Sequence, residues 1–292
     1  MFSCCKKCIA VSPRNSDIID NSGEQLVLSS FNINNYKPYL LGSGATSEVY
    51  RIQIGNLYYT CKKIKPNKST TQILKEINIL KEVQGPRLPY FYKHIISKSR
   101  EYILYDYISG DDLFDIFSSN TYWFKQNHRL IAEVIYEITL GLQELFQYNY
   151  VHLDLKPENI IVYNLYPVGL KIVDLAYCSK LDIIKCQTGN GTYGYASPEV
   201  MLYGRYSHNS DIWSLGVIAY ILFTGRALFS TNNRNTYVNQ LNNFKNIHSC
   251  LDSYKIPHNA LELMDKMLQL SSTYRFTIKN VLNHRFIKQV NK

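Results

Sequence analysis

At 292 residues, 46% of them hydrophobic, the chain is long enough to bury a large core as one bilobed domain or two packed ones, and its composition excludes a disordered or fibrous protein. Its 32 Lys and Arg against 23 Asp and Glu form no basic block or aromatic-interleaved patch, which argues against a nucleic-acid binder. The longest apolar run, "WSLGVIAYILFTG", is shorter than the roughly 18 residues of a spanning helix, no cleavable leader opens the chain, and seven cysteines fit neither a disulfide framework nor a four-cysteine zinc site. A soluble protein of a reducing, cytoplasmic compartment is expected.

Residues 1–33 show little periodicity and carry the cluster "CCKKC", so they are expected to form an extension to the main core. Residues 34–108 favour strands: "YLLGSGATSEVYRIQIG", "LYYTCKKI" and "EYILYDYI" are short, aromatic and β-branched, with Gly and Asn at the turns. One helix interrupts them, because "STTQILKEINILKEV" repeats Ile73, Ile77 and Leu80 at helical spacing behind Ser69 or Thr70 as N-cap. Residues 109–292 turn helical. In "RLIAEVIYEITLGLQELF" a stripe of Val134, Ile138, Leu142 and Leu145 marks one buried face, whereas "SDIWSLGVIAYILFTG" is apolar almost all round, as a helix through the middle of a large domain would be. The expected fold is α+β, a small antiparallel sheet lobe with one helix followed by a larger helical lobe.

Three constellations carry chemistry. In "LGSGATSEVY", Gly42 and Gly44 flank Ser43 in a hairpin that reads either as an ordinary turn or as a cradle whose amides approach phosphate oxygens. Lys62 lies on a predicted strand and Glu76 on the predicted helix; a buried lysine needs such a carboxylate, whereas Lys63, Lys65 and Glu82 read as solvated charges. The string "VHLDLKPENIIV" holds Asp154, Lys156, Glu158 and Asn159, and Asp174 closes the apolar run "LKIVDLA". Two carboxylates and an amide from separate loops supply hard oxygen ligands for Mg²⁺ and a spare carboxylate that can accept a hydroxyl proton.

These strings, with "TCKKI", "HLDLKPEN", "DLA", "GTYGYASPE", "DIWSLG" and "YRFTIKNVLNH", give the chain a resemblance to eukaryotic-type Ser/Thr protein kinases from Tyr36 to Phe286. The resemblance implies a bilobed protein-kinase-like fold and ATP- and Mg²⁺-dependent transfer of the γ-phosphoryl group to Ser/Thr hydroxyls of protein substrates. It implies that Lys62 binds the α- and β-phosphates, that Glu76 fixes Lys62, that Asp154 deprotonates the substrate hydroxyl, that Lys156 neutralises the transferring group, and that Asn159 and Asp174 hold magnesium. Gly42, Ser43 and Gly44 would cradle phosphate, and the adenine would sit between Val49 and Ile161, against a hinge from Asp106 to Ile108 with Tyr105 as a bulky gatekeeper. Thr192 would contact the catalytic Asp and Lys, Glu199 would pair with Arg275, and Asp211 would anchor the catalytic loop.

Several positions depart from the pattern. Leu153 stands where an arginine usually binds an activation-loop phosphate, so activity independent of that phosphorylation is expected. Thr46 replaces a common aromatic and Ser47 the third glycine of the hairpin. Thr60 replaces the alanine that roofs the adenine, and Leu175 and Ala176 replace the phenylalanine and glycine of the magnesium-binding triplet. A pseudokinase acting as an ATP-binding scaffold is the rival reading that these changes support. A small-molecule phosphotransferase would not be expected to carry "GTYGYASPE".

The stretch "YSHNSDIWSLGVIAYILFTGRALF" looks most like calcium/calmodulin-dependent kinases, although no calmodulin-binding helix is expected after "NHRFIKQVNK". Asp112 and Glu158 match positions that contact basic residues of substrates in relatives, so a mild basic preference is expected. Cys4, Cys5 and Cys8 beside lysines resemble S-acylation sites that could attach the chain peripherally to a membrane, while Phe2 excludes a myristoyl signal.

Overall fold

The computed structural model describes residues 31–44, 46–66, 69–181, 191–231, 233–250 and 256–291. They form two compact units: the chain to Lys81 with Pro89–Ser109, and Glu82–Leu88 with the chain from Gly110 onward. The cysteine cluster at Cys4, Cys5 and Cys8 lies outside the described residues, while Cys61 and Cys178 are buried thiols.

The first unit is built on β1 (Tyr39–Ser43), β2 (Ser47–Ile54), β3 (Leu57–Ile64), helix α1 (Thr70–Glu82), β4 (Phe91–Ser97) and β5 (Arg100–Asp106). The strands form one antiparallel sheet in the order β1-β2-β3-β5-β4. Ser69 caps α1, its hydroxyl accepting from the Gln72 amide at 3.3 Å, and Ile73, Ile77 and Leu80 are buried as their spacing predicts.

Directly opposed residues in a sheet share a face. The pairs Ile52 with Tyr59 and Cys61 with Leu104 therefore build the core side, while Val49 with Lys62, and Thr60 with Tyr105, look the other way. Phe31 and Ile33, which the sequence assigns to the extension, belong to this core: Phe31 stacks on Tyr36 at 5.2 Å and meets Tyr102 edge-on at 5.0 Å. A short aromatic anchor without periodicity leaves no pattern in the sequence, so the core includes two residues that the sequence assigns to the extension.

The second unit also claims residues 82–88, which the sequence places in the first lobe. Arg87 sets its Nε 2.6 Å from Glu137 and its Nη1 2.9 Å from Glu144, and its carbonyl accepts from the Ile172 amide at 2.8 Å. From Gly110 the chain forms β6 (Asp111–Asp112), α2 (Leu113–Ser119), α3 (Thr121–Gln126), α4 (His128–Gln147), β7 (Tyr150–Val151), β8 (Ile160–Leu165), β9 (Val168–Ile172) and β10 (Ser179–Lys180). It continues through α5 (Pro198–Tyr203), α6 (His208–Thr224), α7 (Arg234–Asn243), α8 (His258–Met267), α9 (Ile278–Asn283) and α10 (Arg285–Lys288).

Two small antiparallel sheets, β6-β8-β9 and β7-β10, hold the loops that carry the polar residues. Val134, Ile138, Leu142 and Leu145 of α4 are all fully buried, and α6 is buried almost all round. No described helix is long and apolar enough to cross a membrane. The α+β architecture is the one the sequence implies.

Candidate active site

In the first unit the hairpin between β1 and β2 is closed by the Gly44 amide donating to the Ser47 carbonyl at 2.9 Å. A Cβ at Gly42 would meet nothing within 4 Å, and one at Gly44 only the Ser47 carbonyl at 4.0 Å. Packing therefore does not demand glycine here, in contrast to Gly110, where a Cβ would run into Val162. What the missing side chains provide is open access to the backbone of Gly42, Ser43 and Gly44, the property a phosphate cradle needs.

Lys62, opposite Val49 on β2, reaches Glu76 on α1 at 2.5 Å, with the two side chains only 6% and 3% exposed. Lys63 pairs with Glu48 at 2.7 Å in a half-exposed position, a surface charge as its sequence reading has it. At the end of β5, Asp106 is fixed twice to Tyr90: its amide donates to the Tyr90 carbonyl at 3.0 Å and its carboxylate accepts from the Tyr90 amide at 2.7 Å. Tyr105 and Ile108, beside it, are half-buried.

In the second unit the loop after β7 is suspended from Asp211, in the first turn of α6, whose carboxylate accepts the amides of His152 at 2.7 Å and Leu153 at 2.9 Å. Complete burial pushes the Asp211 carboxyl above its ordinary range, while His152 and these two amides oppose that rise. The clamp holds Leu153 at a φ of 65°, a left-handed conformation that costs a leucine about 1–2 kcal/mol. His152 acts as a strut: its Nδ1 accepts from the Asp154 amide at 3.2 Å, so its Nε2 carries the hydrogen donated to the Val173 carbonyl at 3.2 Å.

Donors converge on Asp154, which is 5% exposed. Thr192 donates to one carboxylate oxygen at 2.7 Å and accepts from Lys156 at 3.0 Å, and Lys156 stands 3.4 Å from the other oxygen. The Asn159 side-chain amide donates to the Asp154 carbonyl at 2.8 Å and to its carboxylate at 3.3 Å.

That bonding uses the nitrogen of Asn159 and leaves its oxygen as the end able to ligate a cation. The Val173 amide donates to the Asn159 carbonyl at 2.9 Å, which ties the Asn159 turn to the residue before Asp174. Asp174 is exposed, at a φ of 60°. Among the described residues no group of three or more His, Cys, Asp or Glu could hold a metal. One carboxylate and one amide oxygen, completed by phosphate oxygens and water, suit Mg²⁺, which keeps much of its hydration.

A protein kinase domain model matches residues 37–287. The chain belongs to the protein kinase family. The kinase domain is 29% identical to calcium-dependent protein kinase 4 of Plasmodium berghei over 230 residues, 78% of this chain and 43% of that protein. It is 27% identical to myosin light chain kinase family member 4 of Homo sapiens over 262 residues, 86% of this chain and 66% of that protein. It is also 27% identical to the serine/threonine-protein kinase ATG1a of Arabidopsis thaliana over 232 residues, 78% of this chain and 36% of that protein. The chain thus spans less than half the length of the calcium-dependent kinase it matches.

Other expected residues take structural positions. Glu199 and Arg275 form a bidentate pair at 2.7 and 2.9 Å. Burial alone would raise the Glu199 carboxyl, but the Arg275 guanidinium outweighs it and holds the group below its ordinary range. Asp112 caps α2 by accepting from the Asp115 amide at 2.8 Å, whereas Glu158 is exposed. Ile161 lies half-buried on β8.

Lys65 was missed by sequence reasoning: its ammonium contacts the Gly44 carbonyl at 2.7 Å and the Ser43 hydroxyl at 3.2 Å, so the hairpin carries its own cation. Only its place directly after β3, once the hairpin is folded back, could have signalled this. Ser214 and Tyr237 were missed as well; their hydroxyls hold the carbonyls of Tyr195 at 2.9 Å and Ala196 at 2.6 Å and so fix the "GTYGYASPE" loop.

Proposed function

We propose that the kinase domain transfers the γ-phosphoryl group of ATP, with Mg²⁺, to serine or threonine hydroxyls of protein substrates. The observation that carries this reading is the hydrogen-bonded cluster of Thr192, Lys156 and Asn159 around Asp154. A carboxylate so fixed is oriented to accept a hydroxyl proton, and Lys156 adds positive charge beside it for the group in transit. Bound magnesium would neutralise phosphate charge, with Asn159 and Asp174 as its ligands. In the first unit Lys62, oriented by Glu76, would hold phosphate oxygens, with the open backbone of Gly42, Ser43 and Gly44.

The test is incorporation of labelled phosphate from ATP into a basic generic protein substrate, beside Asp154→Asn. Label on Ser or Thr that vanishes in the variant, with nucleotide still bound, is the expected outcome. Nucleotide binding without transfer in the unaltered protein would instead favour the scaffold reading.

The regulatory reading rests on Leu153. Its side chain is 5% exposed and packs with Val151 and Val200, against Leu181 and Tyr206. Contacts that a phosphate would need a cation to make are replaced by apolar ones, which supports activity without activation-loop phosphorylation. Because Asp112 is engaged as a cap, the proposed mild preference for basic substrates rests mainly on Glu158; a positional peptide library without basic selection would sink it.

A further inference from the structure

Thr60 is 6% exposed on β3, on the sheet face shared by Val49 and Lys62, and it is opposed by Tyr105 on β5. Its hydroxyl donates across the sheet to the main-chain oxygen of Asp106 at 3.1 Å. Asp106 is the last residue of β5, where the chain leaves the sheet toward Ile108, the segment assigned above to the nucleotide base.

Adenine presents an exocyclic amine, a donor, beside a ring nitrogen that accepts, and the carbonyl at the start of such a segment is the natural partner for the amine. A carbonyl oxygen has two acceptor sites. When a buried hydroxyl already uses one, a second donor gains less there.

We infer that Thr60 sets the base specificity of this site: by engaging the Asp106 carbonyl it removes most of the advantage of an exocyclic amine, so that purine nucleotides without that amine bind nearly as well as ATP. The inference rests on the phosphotransfer reading of the site.

The test compares dissociation constants of MgATP and of the magnesium complex of purine riboside triphosphate, which lacks only the amine, by isothermal titration with no protein substrate. In the unaltered protein and in Thr60→Ser, which keeps a hydroxyl, the two constants are expected to agree within about twofold. In Thr60→Val, which keeps the shape and removes the donor, ATP is expected to gain by about fivefold over its analogue, the equivalent of one net hydrogen bond. A preference for ATP of about tenfold or more in the unaltered protein overturns the inference whether or not the variants fold, as does an unchanged ratio in Thr60→Val. Either result leaves phosphotransfer standing. Failure of the folded, unaltered protein to bind both nucleotides would remove the phosphotransfer reading itself, and the inference with it.

Discussion

Lys62 and Glu76 meet at 2.5 Å with almost no solvent around either side chain, so removing either charge takes a close partner from a buried one. Glu76→Ala is expected to lower stability by about 3–5 kcal/mol in urea denaturation and to abolish most phosphotransfer, because the buried ammonium loses the carboxylate that directs it. A variant that keeps near-normal stability and activity would show the pair to be incidental. At this scale the sequence was most informative where function is written locally. Asp154, Lys156 and Asn159 lie within six positions, and their types alone suggested hard-oxygen chemistry. The strut role of His152 was not legible, since it depends on a carbonyl at Val173 that comes 21 residues later. Thr60 was visible as a departure, but its bond to Asp106 spans 46 residues and exists only once β3 and β5 pair.

Among the elements, β10 and the residue after it are tied to β7, to the residue before β7 and to Tyr206. Ser179 pairs with Val151, the Leu181 amide donates to the Asn149 carbonyl at 3.0 Å, and the Tyr206 hydroxyl donates to the Lys180 carbonyl at 2.8 Å. Gly191, at a φ of 88°, lies so close to the Leu153 carbonyl that a Cβ would stand 2.5 Å from it. None of these ties requires a phosphate. Exhaustive phosphatase treatment is therefore expected to leave the transfer rate unchanged, whereas Leu153→Ala, which empties the apolar cluster, should cost about 2–5 kcal/mol and reduce activity. Activity lost on dephosphorylation and restored with a phosphate mapped between Asp174 and Ser197 would contradict this account. The long helices were legible because their burial follows a period, as in α4. The short strands β6, β7 and β10 were not, because two residues carry no period at all.

For the molecule as a whole, acid sensitivity has an identifiable contributor. The Glu199 carboxyl is held below its ordinary value of 4.5, so its pairing with Arg275 stabilises the fold fully at neutral pH and is lost as pH falls through the lowered value. Glu199→Gln is expected to lower the melting temperature at neutrality, and the gap to the unaltered protein should narrow on going below about pH 4; a gap constant with pH would assign the stability to packing instead. The two-part architecture could be read from the change from strand-like to helical patterning near Gly110, but the membership of residues 82–88 could not. It is decided by Arg87, whose partners Glu137 and Glu144 lie 50 and 57 positions further on. The chain therefore passes from one unit to the other three times, after Lys81, after Leu88 and after Ser109. A single cut at the apparent boundary, between Ser109 and Gly110, would leave Arg87 attached to the fragment it does not serve and strip Glu137 and Glu144 of their counter-charge. The lobes of this kinase domain are thus poor modules for excision or exchange: no single cut in the chain frees both of them whole.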